Sequence, residues 1–184
     1  MTPFRFFLTA RHWQLFVLFM GVMFLAQFTG LFAAPTGISS PEEFRKAILP
    51  LLAPTALFIS FLLAWFWSLG EFFWSLAPPS LRPSISRFRF SLVYPPLYIP
   101  VFFLLVTTSD PSQARVAIIF PLHLLGMYCM FYNLYFVAKT LKLAEVKTAV
   151  SFYDYSGAFF LLWFFPIGVW ILQPRVNALV NRQA

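Results

Sequence analysis

The sequence predicts an all-α fold, an integral membrane helix bundle with about five transmembrane helices and two short interfacial amphipathic helices. Of its 184 residues, 60% are hydrophobic, 13 are Lys or Arg and 6 are Asp or Glu. The mean hydropathy is +0.78. A soluble chain of this length could not bury that much apolar surface. Composition therefore excludes a cytosolic enzyme and a disordered tail, and the single cysteine, Cys129, excludes a disulfide scaffold.

The apolar residues fall into segments long enough to cross a hydrocarbon layer of about 30 Å. The first segment is longer than the apolar region of a secretory signal, so we expect an uncleaved helix there. Short polar segments separate the runs and no internal repeat is visible, which predicts a single membrane domain over residues 1–184. The predicted spans lie at about residues 13–34, 51–74, 90–108, 114–138 and 155–172.

Two stretches between the spans have the pattern of short amphipathic helices at the membrane surface, at about residues 41–49 and 139–148. The first follows a capping box, in which Ser40 and Glu43 are expected to satisfy each other's backbone donors. Pro50 and Pro54 are expected to bracket a turn into the second span.

Prolines mark the third span, and a capping box marks the start of the fifth. Pro95, Pro96 and Pro100 each remove a backbone donor and restrict the preceding residue, so we do not expect an unbroken helix there. Such irregularity is tolerated in a bilayer only where neighbouring protein or a wet cavity satisfies the freed carbonyls. Before the fifth span, Ser151 and Asp154 have the spacing of a second capping box.

The distribution of basic residues predicts an orientation. The N-terminus and the loops after the second and fourth spans hold eight Lys and Arg, and the opposite side holds five. The positive-inside rule then favours a cytoplasmic N-terminus and an external C-terminus. Because the net charge of +7 is spread over these short segments, it indicates contact with lipid headgroups and no nucleic-acid partner.

A histidine and two methionines share one face of the fourth span. Met127 and Met130 follow His123 at i+4 and i+7, so the three side chains align. Thioethers with an imidazole suit Cu(I), or a haem with His and Met ligands, which makes these residues candidate cofactor ligands. The alternative is packing, with one interhelical hydrogen bond from the histidine.

No catalytic group is predicted. Glu71, near the end of the second span, could carry a proton or hold a cationic substrate, or could simply be an interfacial carboxylate. Cys129 has no basic neighbour in sequence, which is typical of a buried, inert thiol. The chain has no phosphate-binding glycine loop and no nucleophile or zinc motif, so we expect no enzyme activity and no required cofactor.

The C-terminal stretch carries a distinct pattern, Phe164-Phe165-Pro166-Ile167-Gly168-Val169-Trp170, followed by Gln173-Pro174-Arg175 and Asn177. This pattern resembles that of small, uncharacterised multi-pass membrane proteins of bacteria. The resemblance implies a protein of the bacterial inner membrane and brings no established activity with it. Physically, Pro166 and Gly168 loosen the helix and allow a partner backbone to approach, and Trp170 anchors the helix end at the interface.

Three functions remain open from the sequence. The first is a non-catalytic subunit or scaffold of a membrane complex, with other subunits or a second copy as partners besides the bilayer, and with apolar helix, lipid, pigment or quinone contacts. The second is a small carrier of an apolar or lipid-like substrate, because Pro95, Pro96 and Pro100 with Pro166 and Gly168 could frame a midplane site. The third is metal or haem binding at His123.

Overall fold

The structure, a computed structural model, describes residues 5–33, 40–107 and 113–183, and these ranges contain α-helices and no β-strand. The all-α prediction is therefore confirmed for the described part of the chain. The helices are α1 (Arg5–Thr9), α2 (His12–Ala33), α3 (Pro41–Leu76), α4 (Ile85–Thr107), α5 (Gln113–Val146), α6 (Phe152–Trp163) and α7 (Phe165–Asn181), with a 3₁₀ turn at Pro79–Leu81.

Two helical segments in these ranges are long and apolar enough to cross a membrane, Pro50–Leu76 in α3 and Ala117–Val146 in α5. A shorter apolar segment, His12–Leu25, lies in α2. By length and composition alone, the predicted count of five spans is not confirmed. The segment at about residues 13–34 extends beyond the described residues at its end, because Ala34 is not described.

An aromatic cluster forms the centre of the bundle, where α2, α3 and α7 meet. The ring of Phe19 lies 5.6 Å from both Trp65 and Phe165, centroid to centroid, and Phe58 lies 5.5 Å from Phe165. Phe19 and Trp65 are completely buried. Aromatic pairs at these separations stabilise packing beyond their buried area, which ties α2 and α7 to α3.

Helix α3 continues through the predicted turn at Pro50 and Pro54, so the surface helix predicted at residues 41–49 is the first part of a single helix. The capping box is confirmed: the Glu43 N–H donates to Ser40 Oγ and the Ser40 N–H donates to Glu43 Oε2, both at 3.2 Å. The two prolines are four residues apart, so they remove two hydrogen bonds from one side of the helix. That loss can bend a helix without ending it.

Helix α4 is also unbroken, contrary to the prediction from Pro95, Pro96 and Pro100. Pro95 cannot donate to the Ser91 carbonyl, which is its normal helical acceptor. Asn133 of α5 replaces this donor, because its Nδ2 lies 3.2 Å from the Ser91 oxygen. The Ser91 hydroxyl in turn donates to Asn133 Oδ1 at 2.6 Å, and both residues are buried. The neighbouring helix thus satisfies a carbonyl that the proline leaves free.

The fifth predicted span is divided into two helices that form a hairpin. Phe164, with φ −91° and ψ 56°, separates the 12-residue α6 from α7. At the start of α6, Tyr155 packs on Tyr135 of α5, and near the end of α7, Arg175 pairs with Glu145, also of α5. Both ends of the hairpin therefore lie along the C-terminal third of α5. Helix α6 is about 18 Å long, too short to cross about 30 Å of hydrocarbon.

The residues of the C-terminal pattern explain the hairpin. Pro166 occupies the first turn of α7, where no intrahelical donor is needed. A Cβ atom added to Gly168 would overlap the carbonyl oxygen of Leu161 in α6. The close backbone approach expected at Gly168 therefore occurs within the chain, between the two arms of the hairpin.

Candidate functional site

An apolar cavity of about 470 Å³ lies between α3, α4, α5 and α6. Its walls include Phe58 and Leu62 of α3, Met127 of α5 and Trp163 of α6. Met127 and Trp163 are each about half exposed, at 46%, so the cavity opens on the side where these two residues lie. This size and apolar lining are typical of pockets that hold a small molecule.

A tyrosine and a histidine supply the main polar groups of this cavity. Tyr98 of α4 and His123 of α5 both line it, and the Tyr98 Oη lies 3.2 Å from the His123 Nδ1. Tyr98 is only 9% exposed, so its hydroxyl needs a partner within the protein. Among the other described side chains of the lining, Trp163 alone carries a polar hydrogen, on its indole nitrogen.

A second tyrosine holds Tyr98 in position. The rings of Tyr94 and Tyr98 are stacked, with centroids 5.7 Å apart and planes 9° from parallel. The Tyr94 hydroxyl donates to the Leu122 carbonyl at 2.8 Å, which links α4 to α5 one residue before His123. The orientation of the Tyr98 ring is therefore fixed by both packing and a hydrogen bond.

The predicted cofactor ligands His123, Met127 and Met130 all lie on the wall of this one cavity. Helical spacing was sufficient to place them together, because all three belong to α5. No cluster of three or more His, Cys, Asp or Glu residues that could hold a metal occurs in the described ranges. A metal site here would therefore depend on the two thioethers as ligands with the imidazole.

The prolines of α4 lie in different places. Pro95 lines the cavity, whereas Pro96 lines a second apolar groove between α3 and α4, with Trp67 and Leu97. Pro100 is exposed and borders neither. Of the residues predicted to frame a carrier site, Pro95 therefore lines the cavity. The break between α6 and α7 lies next to the cavity, because Trp163, which lines it, directly precedes Phe164.

Glu71 lies outside the cavity and joins α3 to α4. Its carboxylate accepts two hydrogen bonds from Arg89, at 2.7 and 3.1 Å, in a bidentate pair. The Glu71 side chain is 16% exposed. The hydrogen bond and charge of Glu71 raise the pKa of Arg89. This geometry suits a link between helices rather than a proton carrier.

Trp170 and Gln173 connect α7 to the N-terminal helices. The Trp170 ring lies 4.6 Å from the ring of His12. Gln173 is buried, and its Nε2 donates to the carbonyls of Phe7 and Ala10 at 2.9 and 3.0 Å. Its Oε1 lies 3.4 Å from the indole Nε1 of Trp65. Trp170, predicted as an interfacial anchor, thus packs against His12 of α2.

Sequence reasoning missed the roles of Tyr98, Trp163 and Gln173. Tyr98 lies between prolines in a segment that was not expected to be an unbroken helix, and its role depends on His123, 25 positions away. Gln173 offered one usable signal, because a glutamine within an apolar run needs partners for its amide.

Comparison with known proteins provides no assignment: no protein-family description matches the chain, and no curated protein or solved structure shows significant similarity to it.

Proposed function

We propose that the chain is a multi-pass integral membrane protein of the bacterial inner membrane. The two long apolar segments support this proposal, because their apolar 18-residue stretches are largely exposed. Only 28% of that stretch in Pro50–Leu76, and 17% of that in Ala117–Val146, is buried inside the protein. A core helix of a soluble protein would be mostly buried. Large exposed apolar side chains such as Phe24, Leu97 and Phe120, each more than 60% exposed, suit contact with lipid.

The α6–α7 hairpin changes the proposed orientation. Asn177 donates to the Ala10 carbonyl, and Lys147 donates to the Leu76 carbonyl, so the chain's N-terminal part, its C-terminal part and two loops share one end of the bundle. Arg175 and Arg182 then join the eight basic residues already assigned to that side, giving ten of the 13. We therefore place both termini in the cytoplasm, in place of the external C-terminus predicted from five spans.

Within the membrane, we propose that the protein binds one apolar, lipid-like molecule that carries a hydrogen-bonding group. The observation that carries this proposal is the cavity of about 470 Å³ with the Tyr98–His123 pair in an otherwise apolar wall. The described lining offers no carboxylate and no serine, threonine, cysteine or lysine side chain, which favours binding over catalysis. Such a protein could serve as a ligand-holding subunit or as a carrier.

A glycine in the wall provides the test. Gly126 lines the cavity beside Tyr98, so Gly126→Leu should fill it, whereas Gly21→Leu adds the same side chain where nothing lies within 4 Å. Protein purified from its native membrane in mild detergent should carry an apolar molecule, detected by mass spectrometry. We expect the wild type and Gly21→Leu to retain it and Gly126→Leu to lose at least about nine-tenths. Equal retention by all three would refute the proposal.

Binding of a soft metal is a second candidate, because His123, Met127 and Met130 share one wall. The same preparations, loaded with Cu(I) under reducing conditions, should bind about one equivalent if this function holds. Met127→Leu and Met130→Leu should then each lower the affinity at least about tenfold, with Met23→Leu as the control. Absence of copper binding by the wild type would eliminate this candidate and leave the apolar ligand.

A further inference from the structure

Which atom donates in the Tyr98–His123 hydrogen bond determines what the pair can offer to a ligand. Among the described residues, each of the two side chains has the other as its hydrogen-bond partner. A neutral imidazole offers one donor and one acceptor nitrogen, and a phenol is a better donor than an imidazole N–H because it is the stronger acid. Acidity therefore favours donation from the Tyr98 hydroxyl to His123 Nδ1. In that arrangement, the ring proton of His123 is on Nε2.

We propose that the Nε2–H of His123 is the donor that recognises the ligand, and that the cavity selects an apolar molecule ending in a carbonyl-type acceptor, such as a quinone or an ester. This inference rests on the proposed function of the cavity. Met127 and Met130 contribute only weak acceptors, and the stacked Tyr94 keeps Tyr98 from rotating away. A hydrocarbon tail would occupy the wall between Phe58 and Leu134.

The position of the pair along α5 supports this arrangement. His123 is the first α5 residue of the cavity lining and Leu134 is the last, about 16 Å apart along the helix axis. The donor therefore lies at one end of the wall and apolar side chains follow. An elongated ligand with its acceptor at one end matches this distribution, because the described lining beyond the pair is apolar apart from the indole nitrogen of Trp163.

The test measures equilibrium binding of tritiated probes to the protein in lipid nanodiscs, corrected for partition into empty nanodiscs. The probes are decyl-benzoquinone, the methyl ester of a fatty acid and decylbenzene, which has no acceptor. We expect the wild type to bind the two carbonyl probes about tenfold more tightly than decylbenzene, equivalent to about 1.4 kcal/mol. The ratio between the quinone and the ester identifies which carbonyl source fits the cavity.

Variants assign the preference to the histidine. His123→Leu should abolish the preference, and His123→Gln, which keeps an N–H donor, should restore most of it. His12→Leu is the matched control, because His12 lies on α2 against Trp170 and outside the cavity.

Replacing Tyr98 should change the selectivity between two ligands in a way that replacing His123 does not test. Tyr98→Phe frees His123 Nδ1, so the imidazole can adopt either tautomer and present an acceptor as well as a donor. The preference for decyl-benzoquinone over decylphenol, which can donate, should therefore fall about threefold. Tyr128→Phe, on the same helix as His123 but outside the cavity, should not change it.

The outcomes separate the two proposals. If decylbenzene binds the wild type as tightly as the carbonyl probes, or if His123→Leu keeps the preference, recognition by Nε2 is wrong and the apolar cavity remains a binding site. If no probe binds, and Gly126→Leu carries as much co-purified apolar molecule as the wild type, both proposals fail together.

Discussion

Two proline-containing regions of this molecule behave in opposite ways. Helix α4 contains Pro95, Pro96 and Pro100 and remains one helix, whereas the C-terminal stretch contains Pro166 and turns back at Phe164. The number of prolines therefore does not decide where the chain breaks.

The neighbouring helices account for the difference. In α4, Asn133 donates to the Ser91 carbonyl that Pro95 leaves free, so the helix keeps its path. In the C-terminal stretch, Gly168 lets the α7 backbone lie directly against the Leu161 carbonyl of α6, which stabilises the turned-back arrangement. A proline makes a break possible, and the packing around it decides whether the break occurs.

The largest expected effect concerns the hairpin itself. In a Cys129→Ala background, Glu145→Cys with Arg175→Cys should cross-link almost completely with a short bismaleimide, because the native side chains form an ion pair at 2.8 Å. A straight fifth span would place the two sites about 30 Å apart, across the membrane. The readout is a mobility shift after electrophoresis. The pair Glu145→Cys with Ile167→Cys, at the exposed tip of the hairpin, should not react; efficient reaction there would contradict the hairpin.

The second prediction tests the close approach at Gly168. Gly168→Ala should lower the free energy of unfolding by about 3 kcal/mol, because the added methyl group overlaps the Leu161 carbonyl and neither backbone can yield easily. Thermal unfolding in detergent measures the change. Gly157→Ala on α6 is the matched control, since nothing lies within 4 Å of that position, and it should be neutral or slightly stabilising. Equal effects of the two substitutions would show that Gly168 is not needed for packing.

The third prediction tests the tolerance of α4 for proline. Asn133→Leu should lower the free energy of unfolding by about 2 kcal/mol, because the buried Ser91 carbonyl loses its donor. The double variant Asn133→Leu with Pro95→Ala should recover about half of the lost free energy of unfolding, since residue 95 then regains an N–H for the same carbonyl. Strictly additive losses in the same unfolding assay would mean that Asn133 does not compensate for Pro95.

The smallest effect concerns the start of the hairpin. The Ser151 hydroxyl and N–H donate to the Asp154 carboxylate, at 2.8 and 2.7 Å, and these bonds lower the pKa of Asp154 below its ordinary value. The stabilisation is therefore present above the ordinary pKa and disappears as the pH falls through the lowered value. Hydrogen exchange of the first turn of α6 should be faster in Asp154→Asn than in the wild type at about pH 7. The two rates should become equal once the pH has fallen below the lowered pKa of Asp154. A difference that persists in acid would assign the effect to something other than the carboxylate.

Local patterns in the sequence predicted local structure well. The capping box at Ser40 and Glu43, the acidic start of α6 at Asp154, and the shared face of His123, Met127 and Met130 all occur as expected. Each depends on residues three to seven positions apart, where helix geometry alone fixes the relation. The predicted break in α4 was wrong because a neighbouring helix compensates for Pro95. The predicted turn at Pro50 was wrong because prolines can bend a helix without ending it.

The sequence by itself determined that the described chain is helical, that its surface is apolar and that two helix starts are capped, because composition and short spacing decide these properties. Only the tertiary structure decided which proline region turns back, at which end of the bundle α7 ends, and that Tyr98 meets His123. Ser91 and Asn133 are 42 positions apart, and Glu145 and Arg175 are 30 apart. Contacts at such separations depend on how helices pack, and short-range spacing in the sequence does not specify that packing.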